Sequence, residues 1–387
     1  MRLSKDRILT THVGSLPRAP AVLDMLRAEN SGADVDRARL GQLLDTAVDE
    51  VVAQQMKNGL DIVNDGEASK ISYTFYVRRC LSNVQLKPVG SGAGAEGADY
   101  KEFPDFAARV AAARSGMAQQ LDFPACVGPI TYCDEQPLKD DLRRLRAAVD
   151  AREPLDTFVS AASPGVLVRF VRNEFYPNED AYLDALAEAM RVEFEAIHAA
   201  GFVLQVDCPD LGSSRNNIYH HLTDAEFLKV AERHINVLNH AIRNIPADDI
   251  RLHLCWGNYE GPHTTDIPLA YIAPIAFSAN VRAISFEAAN PRHEHEWEDL
   301  LEIGVPDDKV LIPGMIDSTT NFVEHPKLIA QRLCNWAKVV GRERLIAGAD
   351  CGFATFAAMT PRVVPSIAWA KFRSLAEGAE IATRRLK

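Results

Sequence analysis

Short apolar runs ending in polar or glycine-containing loops alternate with helical stretches along the whole 387-residue chain, and no other feature constrains the fold as strongly. Such runs are too short for ordinary helices, and helices set between them favour side-by-side parallel pairing. The runs fall at 8–18, 59–67, 126–131, 158–161, 201–210, 250–255, 281–287, 310–315 and 345–350. Helical pattern fills 19–58 with a break around 30–36, then 138–149, 178–200, 224–242 and 326–340; a short helical or connecting run spans 271–277, and a last helix spans 365–384. In 178–200, Leu183, Leu186, Met190, Phe194 and Ile197 recur every three or four residues, behind Asn178 and Asp180 as capping residues.

Nine runs are one more than a closed eight-stranded barrel takes, so one is either no strand or lies outside the barrel. A doubly wound open sheet is the alternative, but no phosphate-binding glycine turn follows the first run and the pattern does not change at the midpoint. Polar residues recur after nearly every run, as the C-terminal face of a barrel needs, so the fold expected is α/β, a TIM (β/α)8 barrel. No linker or fixed-period repeat divides the chain, and residues 1–387 read as one barrel domain. A loop or lid excursion is expected at 88–108. Gly92, Gly94 and Gly97 match G-x-G-x-x-G there, but prolines flank them and no helix is expected to open on the last glycine, so a nucleotide site is disfavoured.

The formal net charge of −11 argues against a nucleic-acid binder that works through a basic face. No apolar run approaches the roughly 20 residues of a membrane helix, and Met1 to Asp6 holds no signal-peptide core; a cytoplasmic location is the expectation, with no membrane partner. Seven dispersed cysteines read as reduced thiols. Two of them, Cys255 and Cys351, differ from the rest in context.

His253 and Cys255 lie two apart at the end of an apolar run, so in a strand both side chains reach the same side. Glu287 ends another run and Cys351 follows a third; in a barrel these ends converge on one mouth. A histidine, two thiolates and a carboxylate make a four-coordinate set that favours zinc over magnesium or calcium. Each residue also has a plain structural reading: His253 as a satisfied core histidine, the cysteines as small apolar fillers, Glu287 as an ion-pair partner or helix cap.

Further fragments recur at the other run ends: Thr11-His12-Val13-Gly14-Ser15-Leu16-Pro17, Gly66-Glu67, Gly128-Pro129-Ile130-Thr131, Gln205-Val206-Asp207-Cys208-Pro209, Ile284-Ser285-Phe286-Glu287, Pro313-Gly314-Met315-Ile316-Asp317 and Asp350-Cys351-Gly352. With His253-Leu254-Cys255, they resemble the catalytic barrel of the cobalamin-independent methionine synthase family, in that family's order. The resemblance implies a barrel of the methionine synthase/uroporphyrinogen decarboxylase-like type, with catalytic zinc on His253, Cys255, Glu287 and Cys351. It also implies that Ser15, Glu67 and Asp207 hold the amino and carboxylate groups of homocysteine.

The sequence departs from the family at several points. Family synthases usually carry a related N-terminal half, for which 387 residues leave no room. Asp207-Cys208-Pro209 replaces Asp-Glu-Pro, removing a carboxylate, and the ionisable stretch from Asn290 to Glu296 is either a solvated loop or a lining for another substrate, with Arg292 the residue suited to an anion. His293 and His295 fit hydrogen-bonding roles better than a second metal. Ser213 to Asn217 reads either as a polar substrate contact or as a helix-entry loop. Arg169 and Arg172 are candidate contacts to an acidic substrate group, and Trp256 either stacks on a flat donor or packs beside the metal.

The function expected is zinc-dependent alkyl transfer to a small thiol, most simply from 5-methyltetrahydrofolate or another methyl donor to homocysteine. The alternatives are ring opening of an epoxide by coenzyme M, as in epoxyalkane-coenzyme M transferase-like enzymes, and a non-catalytic zinc or methionine-binding protein. Neither oligomeric state nor the source of the leaving-group proton is legible.

Overall fold

Eight of the nine runs become strands that pair in parallel: β1 (Leu9–Thr10), β2 (Ile62–Val63), β3 (Asp156–Ala162), β4 (Val203–Cys208), β5 (Ile250–Leu254), β6 (Ala283–Phe286), β7 (Val310–Pro313) and β8 (Ile346–Ala347). The computed structural model describes residues 1–88, 97–114, 122–355, 357 and 361–387. Strands β2 to β7 form one curled, open six-stranded sheet in chain order, a half-barrel, while β1 and β8 pair separately. Parallel strands covered on both faces need apolar residues at successive positions, and β4, β5, β6 and β7 are buried at every residue.

The two-stranded pair lies against both edges of the larger sheet. Leu311 bridges Leu345 and Gly314 bridges Gly348, while Asp61 N–H donates to the Thr10 carbonyl at 3.1 Å. Leu9, Ile62, Phe158, Val203, Ala283, Val310, Ile312 and Ile346, from seven of the eight strands, form one apolar cluster inside the curl. Above it the buried Arg251 donates to Gln205 Oε1 at 2.7 Å, Thr11 Oγ1 at 3.1 Å and the His12 carbonyl at 2.6 Å, with Phe158 beneath the guanidinium. One cation thereby ties β4 and β5 to the segment leaving β1.

The ninth run is outside the sheet. Phe123–Cys126 pairs antiparallel with Val84–Lys87 and parallel with Arg172–Asn173 in an accessory sheet. Its apolar residues satisfy a strand pattern whichever sheet receives them, so the pattern identifies a strand but not its partner.

The expected excursion at 88–108 is partly helical. Gly90, Gly92 and Gly94 lie outside the described residues, but helices span Ala98–Glu102, opening directly after Gly97, and Pro104–Arg114. The prolines misled: Pro104 stands at the first helical position, where a missing N–H costs nothing. Elsewhere local chemistry sets helix ends, at Asn178 as expected. Asn178 caps Glu179–Ala199 by accepting from Ala181 N–H, and Thr223 with Glu226 forms a reciprocal cap on Asp224–Ala241. Among the described residues no helix is long and apolar enough to cross a membrane.

Candidate metal centre

Strand geometry brings His253 and Cys255 to one side at the end of β5, and the chain leaving β8 delivers Cys351 to the same point. The Cys255 and Cys351 sulfurs are 3.1 Å apart, and Cys351 Sγ is 3.6 Å from His253 Nε2. All three side chains are buried, and both cysteines are free. Their ligand atoms lie within 4.8 Å of one another, close enough to hold one metal ion. Two sulfurs and an imidazole nitrogen suit zinc, and three protein ligands leave a position for a substrate.

The surroundings orient this set. Ser285 Oγ is 3.4 Å from His253 Nδ1, leaving Nε2 turned toward the sulfurs. The Cys351 thiol's hydrogen bond holds Cys255 below its usual thiol pKa, aided by Gly257 N–H at 3.3 Å from the sulfur. Asp350, one residue before Cys351, accepts the backbone N–H groups of Ala288 at 2.9 Å, Ala289 at 2.8 Å and Asn290 at 3.0 Å. It thereby locks the segment following Glu287 to the segment carrying Cys351.

Glu287, expected as the fourth ligand, stands beside this trio. Its Oε1 is 3.9 Å from Cys351 Sγ and accepts Trp256 N–H at 2.8 Å, while Oε2 accepts Asn290 Nδ2 at 3.0 Å. The group of mutually close ligand atoms is His253, Cys255 and Cys351.

Ser15, Glu67 and Asp207 gather near the same point. Glu67 has φ 53°, a left-handed conformation that costs a non-glycine residue energy and recurs at functional sites. Side-chain oxygens of Asn64 and Asp65 hold this turn by accepting Gly66 and Glu67 N–H at 2.8 and 2.9 Å. Burial pushes the Glu67 carboxyl up, although Lys70 and Arg18 oppose the shift. A Cβ on Gly14 would lie 2.5 Å from Glu67 Oε1, and one on Gly352 would lie 2.1 Å from Ser15 Oγ, so glycine admits both side chains. Asp207 is in register with His253 on the adjacent strand and accepts from Gln205 at 2.7 Å; burial pushes it up to about 7.

The other expected contacts divide. Arg169 approaches the mouth, donating to Ser213 Oγ, and its charge reaches Cys255. Arg172 instead pairs with Glu174 on the accessory sheet, because a two-residue strand carries it there. Trp256 is fully buried, donates Nε1–H to the Ile267 carbonyl at 2.7 Å and stacks on His293, so it packs the wall of the site. Arg292 is exposed in the stretch after Glu287. That stretch is not merely solvated: His293 is buried between Asp266 at 3.1 Å and Glu296 at 2.8 Å. Cys208, where the family has a second acid, is buried with its sulfur 3.7 Å from the Val206 carbonyl.

Sequence reasoning passed over two features. The Tyr73 hydroxyl sits in the fields of Asp207, Arg169, Cys255 and Glu67, and burial holds it protonated. Asp99, from the expected lid, receives His263 N–H at 2.9 Å and the Tyr259 hydroxyl. Neither lies in a motif; only the folded chain brings Tyr73 into the field of Cys255 and Asp99 against the loop that follows Cys255.

A family model described as "Cobalamin-independent synthase, Catalytic domain" matches residues 132–367. A methionine synthase of Saccharolobus islandicus is 22% identical over 380 residues, covering 98% of this chain and 96% of its own. The 5-methyltetrahydropteroyltriglutamate–homocysteine methyltransferase of Ralstonia pickettii is 22% identical over 391 residues, covering 100% of this chain but 43% of its own. Among solved structures, a B12-independent methionine synthase from Shewanella sp. W3-18-1 in complex with selenomethionine matches with TM-score 0.72 and 18% identity, covering 98% of this chain and 99% of that one. A putative vitamin-B12 independent methionine synthase from Listeria monocytogenes gives TM-score 0.63 at 20% identity, covering 97% and 98%. These two likenesses establish the fold. With the family model spanning more than half of its length, the chain belongs to the cobalamin-independent synthase catalytic-domain family.

Proposed function

We propose that this protein transfers a methyl group to homocysteine, giving methionine, with 5-methyltetrahydrofolate or another methyl donor. The observation that carries the reading is the buried His253, Cys255 and Cys351 trio beside Glu67 and Asp207. That trio, with Glu287 beside it as a fourth ligand, would hold zinc, which would supply thiol activation by favouring the thiolate at neutral pH.

The chain's own residues do the positioning. The carboxyl groups of Glu67 and Asp207 receive the substrate ammonium, and backbone N–H groups beside Gly14 and Ser15 take its carboxylate. Fixing the sulfur in line with the methyl carbon makes a two-molecule encounter effectively intramolecular. The sulfur–carbon bond forms as the methyl–nitrogen bond of the donor breaks; the thiol loses a proton and the leaving nitrogen gains one. Trp256, packed against His293, walls this space from solvent.

The same reading takes the strand arrangement as a closed (β/α)8 barrel forming one domain. The bridges from Leu311 to Leu345 and from Gly314 to Gly348, with the Asp61 to Thr10 bond, support closure. Within the expected excursion at 88–108, the described part 97–108 is assigned as a lid, supported by the bonds of Asp99 to Tyr259 and His263.

Coenzyme M attacking an epoxide is the second reading, favoured by Arg169 near Cys255 and disfavoured by the two acids, which suit an ammonium. The deciding experiment offers homocysteine and coenzyme M to zinc-loaded protein, each with methyl-folate and with an epoxide, and identifies products by mass spectrometry. Methionine formation is expected; alkylated coenzyme M without methionine would overturn the leading reading. X-ray absorption unchanged by either thiol would instead mark a non-catalytic zinc protein.

A further inference from the structure

Arg169 closes the last turn of the helix Pro164–Phe170, whose start is capped by Ser163. The guanidinium has five N–H donors. Only one protein hydrogen bond engages them among the described residues, to Ser213 Oγ, and no carboxylate pairs with Arg169 there. Arg18 and Arg251 also lack carboxylate partners, but backbone carbonyls and neutral side chains occupy them from several directions. Asp210, the nearest acid in charge terms, is bonded to Ser163 at 2.6 Å and His234 at 2.9 Å.

Position gives the unused donors meaning. Ser213 N–H is bonded to the Cys255 carbonyl at 2.8 Å, so the hydroxyl that orients Arg169 is anchored to a member of the metal trio. The Phe170 ring lies 4.7 Å from the guanidinium and stands edge-on to Tyr73 at 6.1 Å between centroids. With the Phe170 ring against the guanidinium and the Ser213 hydroxyl on one nitrogen, the remaining donors have no hydrogen-bond partner among the described residues. An arginine stays charged even when solvent is partly excluded. With no carboxylate bonded to it, the fields of Tyr73, Cys255 and Asp210 leave burial of its charge incompletely offset, so an acid on a ligand improves its pairing.

We infer that Arg169, oriented by Ser213, is a specificity-determining seat for an acidic group, carboxylate or sulfonate, on the substrate that brings its reacting atom to the trio. The inference rests on the thiol-alkylation reading and adds a charge requirement to it. Together with Glu67 and Asp207, the seat makes the mouth bipolar: it recognises an ammonium on one side and an acid on the other. The acid belongs either to the thiol, whose carboxylate would then be shared between Arg169 and the backbone N–H groups beside Gly14 and Ser15, or to the alkyl donor, and binding distinguishes these sources.

Calorimetry on zinc-loaded wild type, Arg169→Gln and Arg169→Lys, each checked for an unchanged melting profile, uses homocysteine, coenzyme M and cysteamine, the last lacking any acid. Methyl-folate is titrated in parallel. If the thiol supplies the acid, Arg169→Gln weakens homocysteine or coenzyme M about 10- to 100-fold, leaves cysteamine within about threefold, and Arg169→Lys recovers part of the loss. If the donor supplies it, the thiol affinities hold and methyl-folate weakens by that factor. Equal losses for all thiols, or no loss for any ligand the wild type binds, would overturn the seat. Ethanesulfonate, which has no thiol, separates the two readings by saturation-transfer NMR. A signal in wild type that disappears in Arg169→Gln keeps the seat even where no thiol binds; no signal alongside absent thiol binding removes both.

Discussion

The Trp256 indole and His293 imidazole stack with ring centroids 4.1 Å apart and 27° between their planes. This contact joins the wall of the metal centre to an ionic network in which Asp266 bonds both His293 and His263. Burial opposes protonation of either histidine, but bonds to Asp266, and for His293 also to Glu296, prevail and raise His263 to about 9 and His293 to about 10. Asp99, Glu287 and Tyr259 are the other titratable groups at the network's edge.

Stability is therefore expected to fall in alkali. Both folded-state values exceed the ordinary 6.5, so the contribution is fully present below pH 6.5 and lost as pH rises through 9 to 10. Urea unfolding from pH 6 to 10 should show a loss on the order of 1–3 kcal/mol, flattened in His293→Gln. A His293 ring resonance titrating near 6.5 would refute the network's charge state.

Wild type is expected to bind one zinc ion. Cys255→Ser, Cys351→Ser and His253→Ala should each lose affinity by several orders of magnitude in competition with a chelating dye. Glu287→Gln should lose less, about 10- to 100-fold, because its oxygens already hold Trp256 and Asn290. Full zinc retention in either cysteine variant would remove the trio from consideration.

Replacing Asp350 with Ala removes the acceptor for three backbone N–H groups without touching a sulfur. A loss of about 3 kcal/mol in stability, from buried donors left unpaired, and about 10- to 100-fold in zinc affinity are expected. Unchanged values in both measurements would show that the segment after Glu287 is held by other means.

Gly14→Ala should disturb substrate binding more than folding. The added methyl carbon would fall 2.5 Å from Glu67 Oε1 and 2.8 Å from Ser160 Oγ, so Glu67 must turn away. The variant is expected to lose about 1–3 kcal/mol of stability and to bind homocysteine about tenfold more weakly or worse, with zinc affinity unchanged. Wild-type affinity for homocysteine would argue against Glu67 as its ammonium partner.

Lys70 is buried, donates to the Ser160 carbonyl at 3.0 Å and lies in the fields of Asp65, Glu193, Glu67 and Asp141. Lys70→Met leaves those acids without their shared cation and should cost about 3–5 kcal/mol near neutral pH. Part of the cost should return as pH falls and the acids protonate. A variant no less stable at pH 7 than at pH 5, relative to wild type, would contradict this assignment.

The parallel strands and most helices were legible because each is written locally, in runs such as 203–208 and in caps such as Asn178. His253 and Cys255 were legible for the same reason, being two apart on one strand; Cys351 joined them as a residue following another strand end, and the family resemblance made the set specific. Partnerships were not legible. The run ending at Cys126 looks like any other but pairs in the accessory sheet, and Arg172 goes with it. Tyr73 and Asp99 carry no motif, and their partners, Cys255 for the first and Tyr259 and His263 for the second, come from distant parts of the chain. Pro104 shows the opposite error, since a residue read as a breaker starts a helix.

The two sulfurs at the metal centre are separated by 96 residues of chain. At a synthesis rate of roughly 5–20 residues per second, Cys351 is added about 5–20 s after Cys255. Throughout that interval the nascent chain offers His253 and Cys255 as an incomplete chelate, able to capture a metal only weakly. Tight metal binding at this centre would therefore require that the segment following β8 has docked beside β5.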